Sequence, residues 1–323
     1  MSTAERRPLP LLVWFGMGVA GAVAGLLPWL VTGARLPLQN LAADPSTTET
    51  PFALLPFSQY FLTSIVALLV VGGASAGIAG RSLAAQRPRF GALALVGGVM
   101  LVQVVAAVQA TAVTVASLED SARSALYAGL VVGIILVSLS MSLLVLLLIA
   151  RAQVAGATIA LSLAALVSAS WIGVALRDVM TVAPYELVQP ILFVLRWLPP
   201  VLVGCAIAWC GFRTAGRVAA VIVSLAALWI GPAFFTAVSS AAGTRVLAPY
   251  PGEMAEYGIR VFVSALTMPE LVLPPLLVAV IVGAAGSVLL RRLRRRDPQT
   301  PSPAGEPSSG AAVTASGPAA GRE

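Results

Sequence analysis

The sequence predicts an all-α protein: a polytopic membrane helical bundle of eight transmembrane helices with both termini in the cytoplasm. Three observations predict it. The 323 residues are 59% hydrophobic and 10% charged, against about 45–50% and about 25% in soluble domains. Mean hydropathy is +0.94. Eight apolar runs each approach the roughly 20 residues that cross about 30 Å of hydrocarbon, and the charged residues collect between them.

Taken in order, span 1 (about 10–32) follows Arg6 and Arg7. It exceeds the roughly 7–15 apolar residues of a signal peptide, so it reads as an uncleaved helix. Gly21 and Gly25 in span 1, and Gly73 and Gly77 in span 2 (about 60–80), are four apart. That spacing lets helix backbones approach closely, within one chain or between protomers of a homo-oligomer. Span 3 (about 92–116) carries a polar stripe, Gln103, Thr111 and Thr114, with Gln109 off that face. Span 4 (about 125–150) adds Ser138 and Ser142 one turn apart. These groups predict interhelical hydrogen bonds worth about 0.6–2 kcal/mol each, or the lining of a polar path.

Spans 5 (about 156–176) and 6 (about 190–212) echo spans 7 (about 218–240) and 8 (about 270–290). Ser162-Leu163-Ala164-Ala165-Leu166 returns as Ser224-Leu225-Ala226-Ala227-Leu228. Leu198-Pro199-Pro200-Val201-Leu202-Val203 returns as Leu273-Pro274-Pro275-Leu276-Leu277-Val278. This suggests a parallel duplication of a helical hairpin. Span 8 also has Ala279, Gly283 and Ser287 at small-residue spacing.

Two loops are long, about 33–59 and about 241–269. The second holds an amphipathic stretch, about 252–268, with Glu253, Glu256, Arg260, Ser264 and Thr267 on one stripe. It predicts a helix lying on the outer membrane surface or capping the bundle. The membrane domain covers 1–296. The tail 297–323, rich in Pro, Ser, Ala and Gly, is predicted to be disordered.

Arginine sets the orientation. With the N-terminus inside, cytoplasmic segments hold Arg6, Arg7, Arg81, Arg87, Arg89, Arg151, Arg213, Arg217, Arg291, Arg292 and Arg294 to Arg296. Outer segments hold Arg35, Arg123, Arg177, Arg245 and Arg260, while most carboxylates fall outside. All 20 basic residues are arginine, a bias that suits a GC-rich coding sequence and so a bacterial plasma membrane. The basic run after span 8 favours anionic membrane lipid; no folded domain accompanies it to support nucleic-acid binding.

The candidate site is built around Arg196. A guanidinium at a helix centre costs roughly 2.5–3.5 kcal/mol and usually faces a cavity or an acidic partner. Arg196 and the adjoining Trp197, Pro199 and Pro200 therefore predict an outward-opening, anion-attracting cavity, with Asp178, Glu186 or Glu270 as ion-pair partner. The alternative is that Arg196 snorkels to the headgroups. Gly231-Pro232 in span 7 breaks helix hydrogen bonds near membrane depth, as substrate sites in transporters do, and Gln103 and Thr111 complete the candidate path.

Several chemistries are excluded or disfavoured. With no histidine and no lysine, imidazole catalysis, Schiff bases and the P-loop lysine are out. Cys205 and Cys210, five apart, match no metal or redox spacing. No cofactor is predicted. No carboxylate lies mid-span, which counts against proton- or sodium-coupled transport. Three functions remain: a transport component, either a permease-like subunit working with a cytoplasmic ATPase or a small carrier; a non-catalytic scaffold or regulator of an envelope complex; and an outer-face lipid-modifying enzyme.

Overall fold

The computed structural model describes residues 8–36, 51–244 and 250–296. The tail 297–323 and the middle of the first long loop lie outside the described residues. Eight helical segments are long and apolar enough to cross a membrane. Among the described residues there is no strand, and Arg35 and Phe52 form an isolated bridge.

The helices are α1 (Leu11–Val31), α2 (Leu62–Ser82), α3 (Gly91–Ser117), α4 (Ala122–Arg151), α5 (Val154–Leu166), α6 (Ser168–Val182), α7 (Tyr185–Cys210), α8 (Ala215–Gly243), α9 (Pro251–Thr267) and α10 (Pro269–Arg296). Span 5 is thus two helices, α5 and α6, interrupted at Val167. At the break the Ser168 hydroxyl donates to the Ala165 carbonyl (2.7 Å), the kind of side-chain intrusion that bends a helix. The span runs on to Val182, and α7 starts at Tyr185 rather than near residue 190. Asp178 and Glu186, expected in a loop, therefore sit on helices.

The first four spans form a tight core through the predicted glycine faces. α1 lies between α2 and α3. A methyl group on Gly21 would stand 2.7 Å from Ala76, and one on Gly25 2.6 Å from the Gly72 nitrogen. Gly18 and Gly98 cross each other directly, Cα against virtual Cβ at 3.1 Å in both directions. α2 meets α4 in the same way, Gly73 against Ser142 and Gly77 against Ile149. These small-residue faces are thus filled by helices of the same chain. Where the backbones touch, polar groups bridge: Gln103 Nε2 on α3 and Ser142 Oγ on α4 both donate to the Leu69 carbonyl of α2, each at 2.8 Å.

The second half follows the internal repeat. α5 packs on α8, and α7 on α10, so corresponding spans face each other. Gly204 and Ala279 occupy the same place in the repeat. A Cβ on Gly204 would lie 2.9 Å from the Ala279 carbonyl, and one on Gly283 2.8 Å from Ile207. Ser162 and Ser224, also equivalent, are both fully buried with hydroxyls that find no partner.

The amphipathic stretch forms the expected helix, and that helix packs on the bundle along α8. α9 runs antiparallel beside the half of α8 nearer the carboxylates: Gly258 meets Ala241, and Trp229 Nε1 donates to the Leu266 carbonyl (3.1 Å). Its predicted polar stripe, Glu253 to Thr267, is exposed, with Glu256 and Arg260 paired at 3.8 Å.

Charge separates along the molecule. All seven carboxylates of the described residues, from Glu119 to Glu270, belong to one end. That end is sealed by the loop after α1, whose residues Ala53, Leu55, Phe57 and Ser58 are fully buried. Trp29 Nε1 donates to the Ala53 carbonyl (2.7 Å) and the Tyr127 hydroxyl to the Phe57 carbonyl (3.2 Å). Gln109 holds both edges of this strip: its Oε1 accepts from the Leu54 N–H (2.8 Å) and its Nε2 donates to the Phe52 carbonyl (3.1 Å). At the opposite end arginines close the helix termini. Arg81 Nη1 donates to the carbonyls of Ile149 and Ala152, and Arg87 Nη2 to those of Gly80 and Ala150, at 2.7 to 2.9 Å. These are the orphan carbonyls that a helix C-terminus leaves. Burial, then the neighbouring Arg151 and Arg81 charges, push the Arg87 guanidinium below its ordinary value.

Candidate functional site

Because α7 begins at Tyr185, Arg196 lies 11 residues from one helix end and 14 from the other. At 1.5 Å per residue that is about 17 Å and about 21 Å along the axis. Arg196 is therefore deeper than the predicted span boundary implied. On α7 the same face carries Arg196, Pro200, Val203 and Ile207, spaced by three or four. Val203 and Ile207 are buried in an apolar cluster with Ala165, Leu228 and Ala279. Pro200 is buried too, whereas Arg196 is exposed. The interhelical seam is thus closed towards the arginine end and opens between Pro200 and Arg196.

Around that opening, hydrogen-bonding capacity is left over. The Arg196 guanidinium lies 5.5 Å from the Trp197 ring centre, and Phe193 stacks edge-on against Trp197. The Trp197 indole N–H is buried and has no acceptor among the described residues. None of the three predicted partners pairs with Arg196: Asp178 pairs with its neighbour Arg177 (3.4 Å), and no ion pair among the described residues uses Glu186 or Glu270. The prolines add free acceptors, since Pro199 and Pro200 lack the N–H groups that would bond the carbonyls of Leu195 and Arg196. An indole N–H and a guanidinium thus lie on neighbouring residues, neither with a hydrogen-bond acceptor among the described residues.

The other predicted residues go elsewhere. Gly231 lets α8 close on α5, where a Cβ would meet Leu166 at 3.0 Å. Pro232 beside it is exposed and frees the Leu228 carbonyl. Gln103 belongs to the three-helix node on Leu69, and Thr111 is half-buried on the same helix. Neither joins Arg196. Two concavities among the described residues do not include Arg196. One, about 290 Å³, is an apolar groove between α8 and α9; the other, about 50 Å³, lies at the arginine end.

Sequence reasoning missed a second aromatic–arginine cluster. Arg177 on α6 sits 5.5 Å from the Trp29 ring and 5.2 Å from the Phe61 ring. Trp171 Nε1, one and a half turns earlier, donates to the Gly25 carbonyl of α1 (2.8 Å). Together they fasten the second half to the first. Their only sequence signal was an arginine and a tryptophan six apart near the end of an apolar run.

Fold and charge pattern define a multi-pass helical membrane protein. Comparison with protein-family models, with curated proteins and with solved structures found no match.

Proposed function

We propose that this chain is a transport component of the bacterial plasma membrane, with both termini cytoplasmic, in which Arg196 and Trp197 receive an anionic group from outside the chain. One observation carries the reading: a guanidinium about three turns inside a spanning helix, next to a buried indole N–H, with no acceptor for either among the described residues. A charge at that depth costs roughly 2.5–3.5 kcal/mol unless something neutralises it. The neutralising group is either the carboxylate of a partner's helix, as in a permease-like subunit, or an anionic solute entering the opening above Pro200. The scaffold reading draws support from a different observation, the closely packed first four spans.

Two measurements test this. The first is purification from the native host in mild detergent through a C-terminal tag. A stoichiometric cytoplasmic ATPase supports a permease-like subunit. Envelope or division proteins in its place support the scaffold. The second compares thermal stabilisation by small anions, such as acetate, phosphate and glutamate, in wild type and Arg196→Leu. If Arg196→Leu raises stability while partners and anion response stay as in wild type, Arg196 only snorkels and the transport reading fails.

A further inference from the structure

The second concavity points to a ligand that the Arg196 site does not explain. It lies at the turn joining α7 to α8 and is lined by Trp209, Gly211, Arg213, Arg217, Ser287 and Arg291 among others. Three arginines, Arg213, Arg217 and Arg291, therefore line one hollow of about 50 Å³. Among the described residues no carboxylate balances them, since all seven lie at the opposite end. Arg217 is already oriented, since its Nη1 donates to the Cys210 carbonyl (3.1 Å) and leaves its other N–H groups unused. Gly211, at φ +67°, turns the chain between the end of α7 and Arg213. Such a turn suits glycine alone among common residues.

We infer that this hollow binds the phosphodiester headgroup of an anionic phospholipid. Guanidinium forks match phosphate oxygens in charge and geometry. The hollow has room for a phosphate group. It sits at the ends of spanning helices, where headgroups lie, and its lining includes exposed Trp209 and Leu290. An exposed indole at a helix end is characteristic of the headgroup level. Trp209 is itself held by Arg81 of α2, whose guanidinium lies 5.1 Å from its ring.

The test uses full-length protein in nanodiscs of zwitterionic phosphatidylcholine with graded phosphatidylglycerol, read by thermal stability and by native mass spectrometry of retained lipid. Arg213→Gln/Arg291→Gln removes two of the three guanidiniums and spares the bond between Arg217 and Cys210. Arg89→Gln/Arg292→Gln removes the same charge outside the hollow. The expected result is that the first variant binds phosphatidylglycerol roughly tenfold more weakly than wild type, while the second stays within twofold. Equal losses in both variants would mean diffuse surface attraction and overturn the site. So would stabilisation by inorganic phosphate in phosphatidylcholine discs equal to that by phosphatidylglycerol, which would make the ligand a free anion. If wild type gains nothing from phosphatidylglycerol over phosphatidylcholine, the hollow serves another partner and the inference fails.

Discussion

The crossing of α1 and α3 offers a sharp test of the packing, because it provides its own controls. In Gly18→Ala the new methyl would overlap the Leu95 carbonyl and stand 3.0 Å from the Val99 nitrogen. Both are helix backbone and cannot rotate away. Gly98→Ala creates the reciprocal clash with Phe15 and Val19. Gly16 and Gly97 neighbour these positions, yet a Cβ on Gly16 meets nothing within 4 Å and one on Gly97 only the Phe15 ring at 3.9 Å. Overpacking of this kind costs about 1–3 kcal/mol, while replacing glycine by alanine in a helix returns up to about 1 kcal/mol. We expect Gly18→Ala and Gly98→Ala each to lose about 1–2 kcal/mol, and Gly16→Ala and Gly97→Ala to lose nothing. The double variant Gly18→Ala/Gly98→Ala should cost less than the sum, since one separation of the helices relieves both clashes. Reversible unfolding in mixed detergent micelles reads these differences. Should Gly18→Ala unfold at the same denaturant fraction as Gly16→Ala, the close crossing of α1 and α3 is wrong.

Three further outcomes follow from the polar contacts. Arg87→Gln should lower stability by about 2–3 kcal/mol, measured in the same micelle assay, because hydrogen bonds from a charged donor to the Gly80 and Ala150 carbonyls are lost. Gln109→Leu should free the strip from Phe52 to Leu54; in a background lacking Cys205 and Cys210, an Ala53→Cys thiol should then react with a maleimide at least tenfold faster, and an unchanged rate would refute the bracket. Ser142→Ala alone should cost about 0.6 kcal/mol, the usual scale for such bonds in membranes. The Leu69 carbonyl keeps Gln103 as donor in that variant, so Gln103→Leu/Ser142→Ala should lose more than the two single changes added.

The spans were legible because length and hydropathy are properties of a single helix. The glycine faces were legible too: a pair four residues apart has few uses other than close approach, and Gly21, Gly25, Gly73 and Gly77 all make one. Where the partner lies far along the chain, sequence gave less. Gln109 looked misplaced off its polar stripe because its partners are backbone groups of an irregular segment more than 50 residues earlier. The start of α7 was placed late because Glu186 and Pro190 interrupt the apolar run; Pro190, the sixth residue of α7, leaves the Glu186 carbonyl without its helical donor, yet the helix continues through it. Amphipathicity identified α9 and its polar stripe, but it fixes which face is apolar and not the direction of the axis; contacts with Ala241 and Trp229 decide that. For Arg196 the residue was visible, while its depth followed only once α7 was known to begin at Tyr185.

That depth also makes Arg196 answerable to the membrane potential. The clustered arginines and carboxylates sit at the two ends of the bundle, where little of the field falls. Arg196 is held about halfway along its helix, which on the proposed reading places it within the region across which the voltage drops. One elementary charge crossing the whole core is worth about 2.3 kcal/mol per 100 mV, so a rearrangement that shifts Arg196 through a third of it is worth about 0.8 kcal/mol. A resting cell thus biases any motion of α7 along the membrane normal, and an interior-negative potential draws this guanidinium towards the cytoplasm.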